Sequence, residues 1–490
     1  MEALPRFKSC ARSTSKQPTL ACRESDKSWG RRVLAPKRAL QVVAVPQREE
    51  RELSRAVGWF GAFSVGYADV GADVLITLGL VALYARHLAP FAMAAAAVVY
   101  VLVGLTYAKL SGAYPRAGGA QNFALEAFGP LHSFVAGWGL LLDYTIDIAL
   151  FALAAVGYLG YFLSETTGVG ILLSNPWYAI AGACVVAFLA AVNLAGVKLS
   201  SRLNEVLVAL SLGTLALVLG AGGALHAARG GFSGSAAGAV PPRDFLYAVT
   251  IAMASFVGVE AASQLAEEVV EPERNLPRAI RLAVAVTVAV ALVSSAYYAS
   301  AVGSSEEAAR HPLASLARSV PVLGPYLALW TGLTGFLLNL VSANTGVLGS
   351  SRVAYAMARD GLLPKRLAAL SGRRVPARAI TLFSGIAALL LLANALLPSV
   401  RLLDLVASLY NFGALTAYMY AALALYKLSA RAGGSAALNR ALGLSALAAC
   451  AAMLGLLVAL HEEGRALAAL WFLAGLALFA AASKGKIGGS

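Results

Sequence analysis

The residues of this chain best suited to chemistry are acids in apolar company. The stretch GYADVGADV (66–74) places Asp69 and Asp73 among glycines, inside an apolar run that begins at Val57 and continues through LITLGLVALYA. A second stretch, YAVTIAMASFVGVEAASQLAEE, carries Gly258 and Glu260 midway, with Ser255 and Ser263 around them. LLDYTID sets Asp143 and Asp147 four residues apart, on one face of a helix. Two chemistries suit such groups. Removed from water and beside like charges, a carboxyl can bind and release a proton near neutral pH, with Asp73, Asp69 and Asp147 as the candidates. The same acids can neutralise a cation: Asp73 and Asp147 would welcome a basic amino acid or polyamine. Ser342, Thr345 and carbonyls near Asp69 offer the oxygens that a hard alkali ion prefers.

Other chemistries lack their residues. The five histidines are scattered, Cys10, Cys22, Cys184 and Cys450 have no metal spacing, and neither a GxxxxGK[ST] loop nor a Ser/His/Asp arrangement is present. The sequence therefore predicts neither an enzyme nor an ATP-driven pump, and no metal site or cofactor beyond a co-transported proton or sodium ion.

The elements that hold these acids must lie in a membrane. Of 490 residues 59% are hydrophobic and 13% charged, and the mean hydropathy is +0.72, more apolar surface than a soluble core can use. A bilayer-spanning helix needs about 20 predominantly apolar residues. Twelve such windows lie near 57–86, 88–111, 131–163, 177–195, 203–225, 244–268, 279–303, 323–352, 378–398, 402–427, 438–460 and 466–483. The net charge of +14 does not imply nucleic acid. With both termini placed in the cytoplasm, only Arg86, Arg229, Arg243, Arg310, Arg318, Arg401 and Arg465 fall outside, the asymmetry that orients membrane proteins. Residues 1–55 are polar and basic and read as a disordered cytoplasmic tail. The charged segment from Glu267 to Arg281 reads as a solvated cytoplasmic loop that also helps close an inner gate.

Irregular polar backbone at mid-bilayer is tolerated only where it lines a protein cavity. The interruptions in the first and sixth windows therefore point at one site, and ionisable residues within spans are functional candidates by default. Broken helices at matching positions of two halves indicate an inverted-repeat transporter with substrate bound at the midplane. The predicted architecture is all-α, with twelve transmembrane helices and a five-plus-five inverted-repeat (LeuT-like) core in which the first and sixth are broken. Its parts are a first repeat over 56–225, a second over 244–427 and a peripheral pair over 438–483.

Several longer motifs carry a resemblance. SGAYPRAGGAQNFALEAFG (111–129), GVEAASQLAEEVVEPERNLPRAI (258–280) and ANTGVLGSSRVAYAMARDGLLP (343–364), with LLDY and NLAGVKLSSRLNEV, are similar to amino acid permeases of the amino acid, polyamine and organocation (APC) superfamily over roughly residues 55–430. The resemblance implies alternating access driven by protons or, in some members, sodium. It also implies that backbone amides of Gly71, Ala72 and Asp73 meet a substrate carboxylate, and that carbonyls of Phe256, Val257 and Gly258 receive its ammonium, with Phe256 as an aromatic gate. This division suits the positive and negative ends of helix dipoles. Glu260 matches a glutamate that ties the broken helices together. Two positions depart from the pattern. Asp73 stands where small neutral residues usually do, and Ser211 stands where proton-coupled relatives often carry a lysine.

The reading is a plasma-membrane carrier for an amino acid or related amine, probed by Asp69, Asp147, Glu260, Ser211, Ser342 and Thr345 as coupling or gating residues. The alternative is a polyamine or potassium-type permease that uses the aspartates as its cation site. Asp143 is assigned an interhelical hydrogen bond to a hydroxyl such as Tyr144, and Tyr410 and Asn411 a packing role. Besides substrate, the only expected partner is the lipid bilayer; the oligomeric state is left open.

Overall fold

The computed structural model describes residues 53–487 apart from 229–237, 321 and 397–401. The tail reading for residues 1–52 lies outside the described residues. The described chain is helical, as alanine- and leucine-rich runs dictate. In order come α1 (Trp59–Ala85), α2 (Ala89–Ala113), α3 (Ala120–Phe128), α4 (Pro130–Thr167), α5 (Trp177–Ala195), α6 (Val197–Ala228), α7 (Pro242–Ala254) and α8 (Ala261–Gln264). There follow α9 (Pro272–Ala301), α10 (Glu306–Arg310), α11 (Pro312–Arg318), α12 (Gly324–Arg359), α13 (Ala377–Leu396), α14 (Leu402–Lys427), α15 (Ala436–Leu460) and α16 (Glu462–Ile487). Prolines open α4, α7 and α9, where a missing N–H costs no hydrogen bond. Gly129, at φ +90, separates α3 from α4, a backbone angle at which a β-carbon would be strained.

Among the described residues eight helices are long and apolar enough to cross a membrane, counting Trp59–Ala113 as one continuous stretch. Among the described residues the apolar windows lie mainly on helix, except that the sixth spans α7, a non-helical stretch and α8. Large side chains such as Phe91, Phe188, Val206, Leu389, Leu470 and Leu473 are exposed on the outside, the surface a lipid solvent requires. The interior holds one large apolar cluster. Within it α1 packs against α9, α7, α12 and α6, while α4 lies along α12 and α14. At 38 residues α4 is about 57 Å long at the usual rise of about 1.5 Å per residue, well beyond the membrane core.

The sixth window is interrupted, as expected: α7 stops at Ala254, residues 255–260 are non-helical, and α8 contributes a single turn. The first window is not. α1 runs as one α-helix through Gly66, Asp69, Gly71 and Asp73, so the expected interruption of the first helix is corrected. Isolated glycines cost a helix only about 1 kcal/mol each, and no proline is present to remove a hydrogen bond. The aspartates also spare the α1 backbone, because their carboxylates are engaged by other helices.

In the charged segment after α8, Glu271, Glu273, Arg274, Arg278 and Arg281 are exposed, as a solvated segment requires, and Glu268 alone of its charged residues departs from that reading. Glu268 is fully buried and accepts two hydrogen bonds from the buried Arg352 of α12, Nε to Oε2 at 3.0 Å and Nη2 to Oε1 at 3.1 Å. Its carbonyl accepts from the amides of Ala56 and Val57, and Val270 N donates to Val57 O at 2.9 Å. Beside it Arg359 holds Glu267 at 2.8 Å, and Arg116 reaches Asp360 at 3.2 Å. A charge without a fixed partner would stay in water. Here the planar guanidinium matches the carboxylate and allows burial.

Candidate substrate site

The break in the sixth window is built around Gly258. Its φ of +119 suits glycine alone, and a β-carbon there would lie 2.5 Å from Asp69 Cβ. The break and the acid of α1 are therefore in direct contact. Glu260 turns back on the break: its Oε2 accepts from Gly258 N at 3.1 Å and from Tyr418 OH of α14 at 2.5 Å. The expected tie joins the two broken helices; the bonds Glu260 makes are instead to α14 and to its own stretch of backbone. Ser255 hydrogen-bonds Thr77, whose hydroxyl also donates to Asp73 O at 2.8 Å, fastening the end of α7 to α1. Among the described residues the carbonyls of Phe256 and Val257 accept no hydrogen bond. They sit at the negative end of the α7 dipole. The buried Phe256 ring packs on Tyr100, with centroids 5.2 Å apart.

Three further carboxyls meet the same region. Ser342 Oγ of α12 donates to Asp69 Oδ1 at 2.6 Å, and Tyr410 OH of α14 donates to Asp73 Oδ2 at 2.9 Å. Asp147 lies beside Asp69 and packs on Gly346 of α12; Asp143 lies beside Glu260 and packs on Gly413 of α14. Neither oxygen of Asp143 or Asp147 has a hydrogen-bond partner among the described residues. The interhelical bond expected of Asp143 is thus corrected, and the Tyr144 hydroxyl is also unpaired there. All five acids are buried, Asp73 the most exposed at 5%. No described ion pair includes any of them.

The other candidates fall in three places. Gly71, Ala72 and Asp73 lie inside α1, with their amides in a helix rather than at a free helix start. Thr345 belongs to a buried polar network: Asn204 Nδ2 donates to Thr345 Oγ1 at 3.2 Å, Asn344 Nδ2 to Asn204 Oδ1 at 2.7 Å, and Asn193 Nδ2 to Asn344 Oδ1 at 2.7 Å. Ser211 of α6 lies apart from the carboxyls, lining a small gap with Thr214, Leu313, Thr334 and Leu338. Among the described residues no group of three or more His, Cys, Asp or Glu side chains is arranged to hold a metal ion. Sequence reasoning undervalued Tyr410, because a tyrosine in an apolar helix is usually core. It missed Tyr418 and Arg352, whose partners lie 158 and 84 residues away.

Residues 57–480 match the amino acid permease family. The chain belongs to that family. It is 26% identical over 419 residues to the branched-chain amino acid permease BcaP of Bacillus subtilis, covering 80% of this chain and 84% of that one. It is 29% identical over 357 residues to the low-affinity putrescine importer PlaP of Escherichia coli, covering 70% and 74%. Among solved structures, MhsT in complex with L-phenylalanine superposes with a TM-score of 0.61 at 17% identity, covering 84% of this chain and all of that one. That likeness concerns the fold, and it supports the LeuT-like class. The chain is a multi-pass membrane protein of the APC superfamily, a family of permeases rather than enzymes.

Proposed function

We propose that this permease is a secondary active carrier that moves an amino acid or related amine across the plasma membrane by alternating access, coupled to protons. Twelve spans are the proposed arrangement, with inverted repeats over 56–225 and 244–427, helices 438–483 at the periphery and both termini cytoplasmic. The observation that carries the reading is the contact between Asp69 and Gly258: a buried acid of α1 faces the α7–α8 break, next to two carbonyls with no hydrogen-bond donor among the described residues. An ammonium group supplies the donors that these oxygens need.

The substrate lies between Gly71, Ala72 and Asp73 on one side and Phe256, Val257 and Gly258 on the other. Local unwinding of α1 at Gly71 would free amides for a carboxylate. Asp69 and Asp147 exchange the coupling proton, and Glu260 and Ser342 hold the elements that must move. Thr345 and Ser211 act at the edge of the site, through α6 and α12. The two named relatives, one for branched-chain amino acids and one for putrescine, bracket the chemistry from a zwitterion to a diamine.

Counterflow in liposomes tests the carrier reading. Vesicles loaded with an unlabelled substrate should transiently accumulate the labelled compound from outside, because a carrier returns loaded. Uptake of any solute without such exchange would indicate a channel.

A further inference from the structure

Where α5 ends and α6 and α13 begin, the chain gathers cations that no acid answers. Arg373 Nη1 donates to Leu194 O, in the last turn of α5, at 3.4 Å, and Arg378 Nη1 donates to Arg366 O at 3.3 Å. These bonds seat the segment between α12 and α13 beside the corner from α5 to α6, and the first two turns of α6 carry Lys198 and Arg202. α5 packs against both α6 and α13. Arg373 and Arg374 stand at the tip of a closed turn, in which Ser371 N donates to Val375 O at 2.9 Å and Arg374 N to Ser371 O at 3.0 Å. Arg374 takes φ +57, an uncommon angle for a residue with a β-carbon, so its surroundings fix the turn.

Lys198, Arg202, Arg366, Arg373, Arg374 and Arg378 are all exposed, and no described ion pair includes any of them. Neither α5 nor residues 361–396 contain an acid. The acid of α6, Glu205, is turned to α1: its Oε1 accepts from Ser201 Oγ at 3.4 Å and would lie 2.7 Å from a β-carbon on Gly61. Asp360, just ahead of the segment, is held by Arg116 at 3.2 Å and by Gln121 at 3.0 Å. The corner is therefore a patch of one sign, which attracts an anion from outside the chain.

The surface that continues from the cations is apolar. On α6, Lys198, Arg202 and Val206 follow one another at four-residue steps; on α13, Arg378, Leu382, Ile386 and Leu389 do so at steps of four, four and three. Each set lies on one face of its helix. Val206 and Leu389 are 65% and 66% exposed, and Phe188 of α5 is exposed between those helices. Cations at the start of two spans, with bare apolar side chains running on from them, complement a charged headgroup and its acyl chains.

We propose that this corner binds an anionic phospholipid, its phosphate held by Lys198, Arg373, Arg374 and Arg378 and its acyl chains laid along the exposed faces of α6 and α13. Each cation at an anionic membrane surface contributes about fivefold in affinity. The site is independent of the solute carried, and in the proposed topology it faces the cytoplasm. The headgroup ties three spans together, so binding should also stabilise the fold.

The test is titration of the full-length protein in neutral detergent with dioleoylphosphatidylglycerol, dioleoylphosphatidylcholine or free sn-glycerol 3-phosphate. Native mass spectrometry counts the bound molecules, and thermal unfolding gives the melting temperature. The phosphatidylglycerol should bind about tenfold or more tighter than the phosphatidylcholine and raise the melting temperature, with the free phosphate doing neither. Lys198→Gln, Arg202→Gln and Arg374→Gln together break no described side-chain hydrogen bond and should weaken phosphatidylglycerol binding about tenfold or more. The matched triple Arg274→Gln, Arg281→Gln and Arg431→Gln, exposed cations of other segments, should leave it unchanged. The comparison of lipids on the unaltered protein stands even if a variant fails to fold. Equal binding of the two lipids, equal loss in the two triples, or glycerol phosphate binding as tightly as the lipid would each overturn the proposal.

Discussion

At the scale of single residues, Gly258 and Asp73 carry the most specific consequences. Gly258→Ala must place a β-carbon at φ +119 against Asp69, and the backbone alone costs roughly 1–2 kcal/mol. Transport should be lost and the melting temperature lowered; normal uptake by this variant would show that the break tolerates movement away from α1. Asp73→Ser removes an acid from the place where small neutral residues are usual. It should raise affinity for neutral amino acids about tenfold, ~1.4 kcal/mol, and weaken amine binding. Tyr410→Phe, which removes the hydroxyl that holds Asp73 Oδ2, should shift amine affinity in competition assays while leaving the melting temperature nearly unchanged. The acids were legible in the sequence because an ionisable group in an apolar run is costly unless used. Tyr410 was not, since its hydroxyl matters only through a carboxylate 337 residues away.

At the scale of elements, α1 and the α7–α8 break show where local sequence decides and where it does not. GYADVGADV and SFVGVEA share glycines and acids, yet only the second is interrupted. The difference is in what surrounds them. Gly258 adopts a left-handed angle and its amide is taken by Glu260 and Tyr418, whereas the α1 acids reach hydroxyls on α12 and α14 and leave their own helix intact. Glu268 after α8 teaches the same lesson, because its burial depends on Arg352 in α12. Arg352→Met leaves Glu268 buried without its partner and should cost roughly 3–5 kcal/mol. Thermal unfolding would show this loss, and the double variant Glu268→Gln with Arg352→Met should recover most of it. Equal stability of the single and double variants would mean that the pair is open to water.

At the scale of the whole molecule, membrane insertion and fold class were legible from apolar windows and the placement of arginines. The family was legible from loop motifs whose order is preserved. The convergence of acids from α1, α4 and the α7–α8 break was not, because helix packing sets it and windows do not report packing. The central claim is that this buried carboxyl cluster is the transport site of a proton-coupled carrier. The most direct measurement is uptake by the purified protein in liposomes under an imposed proton gradient of each polarity, for the unaltered chain and for Asp69→Asn. The expected result is accumulation of an amine or amino acid beyond equilibrium under one polarity, abolished in Asp69→Asn at unchanged melting temperature. Equal accumulation by both proteins, or simple equilibration that ignores the gradient, would contradict it.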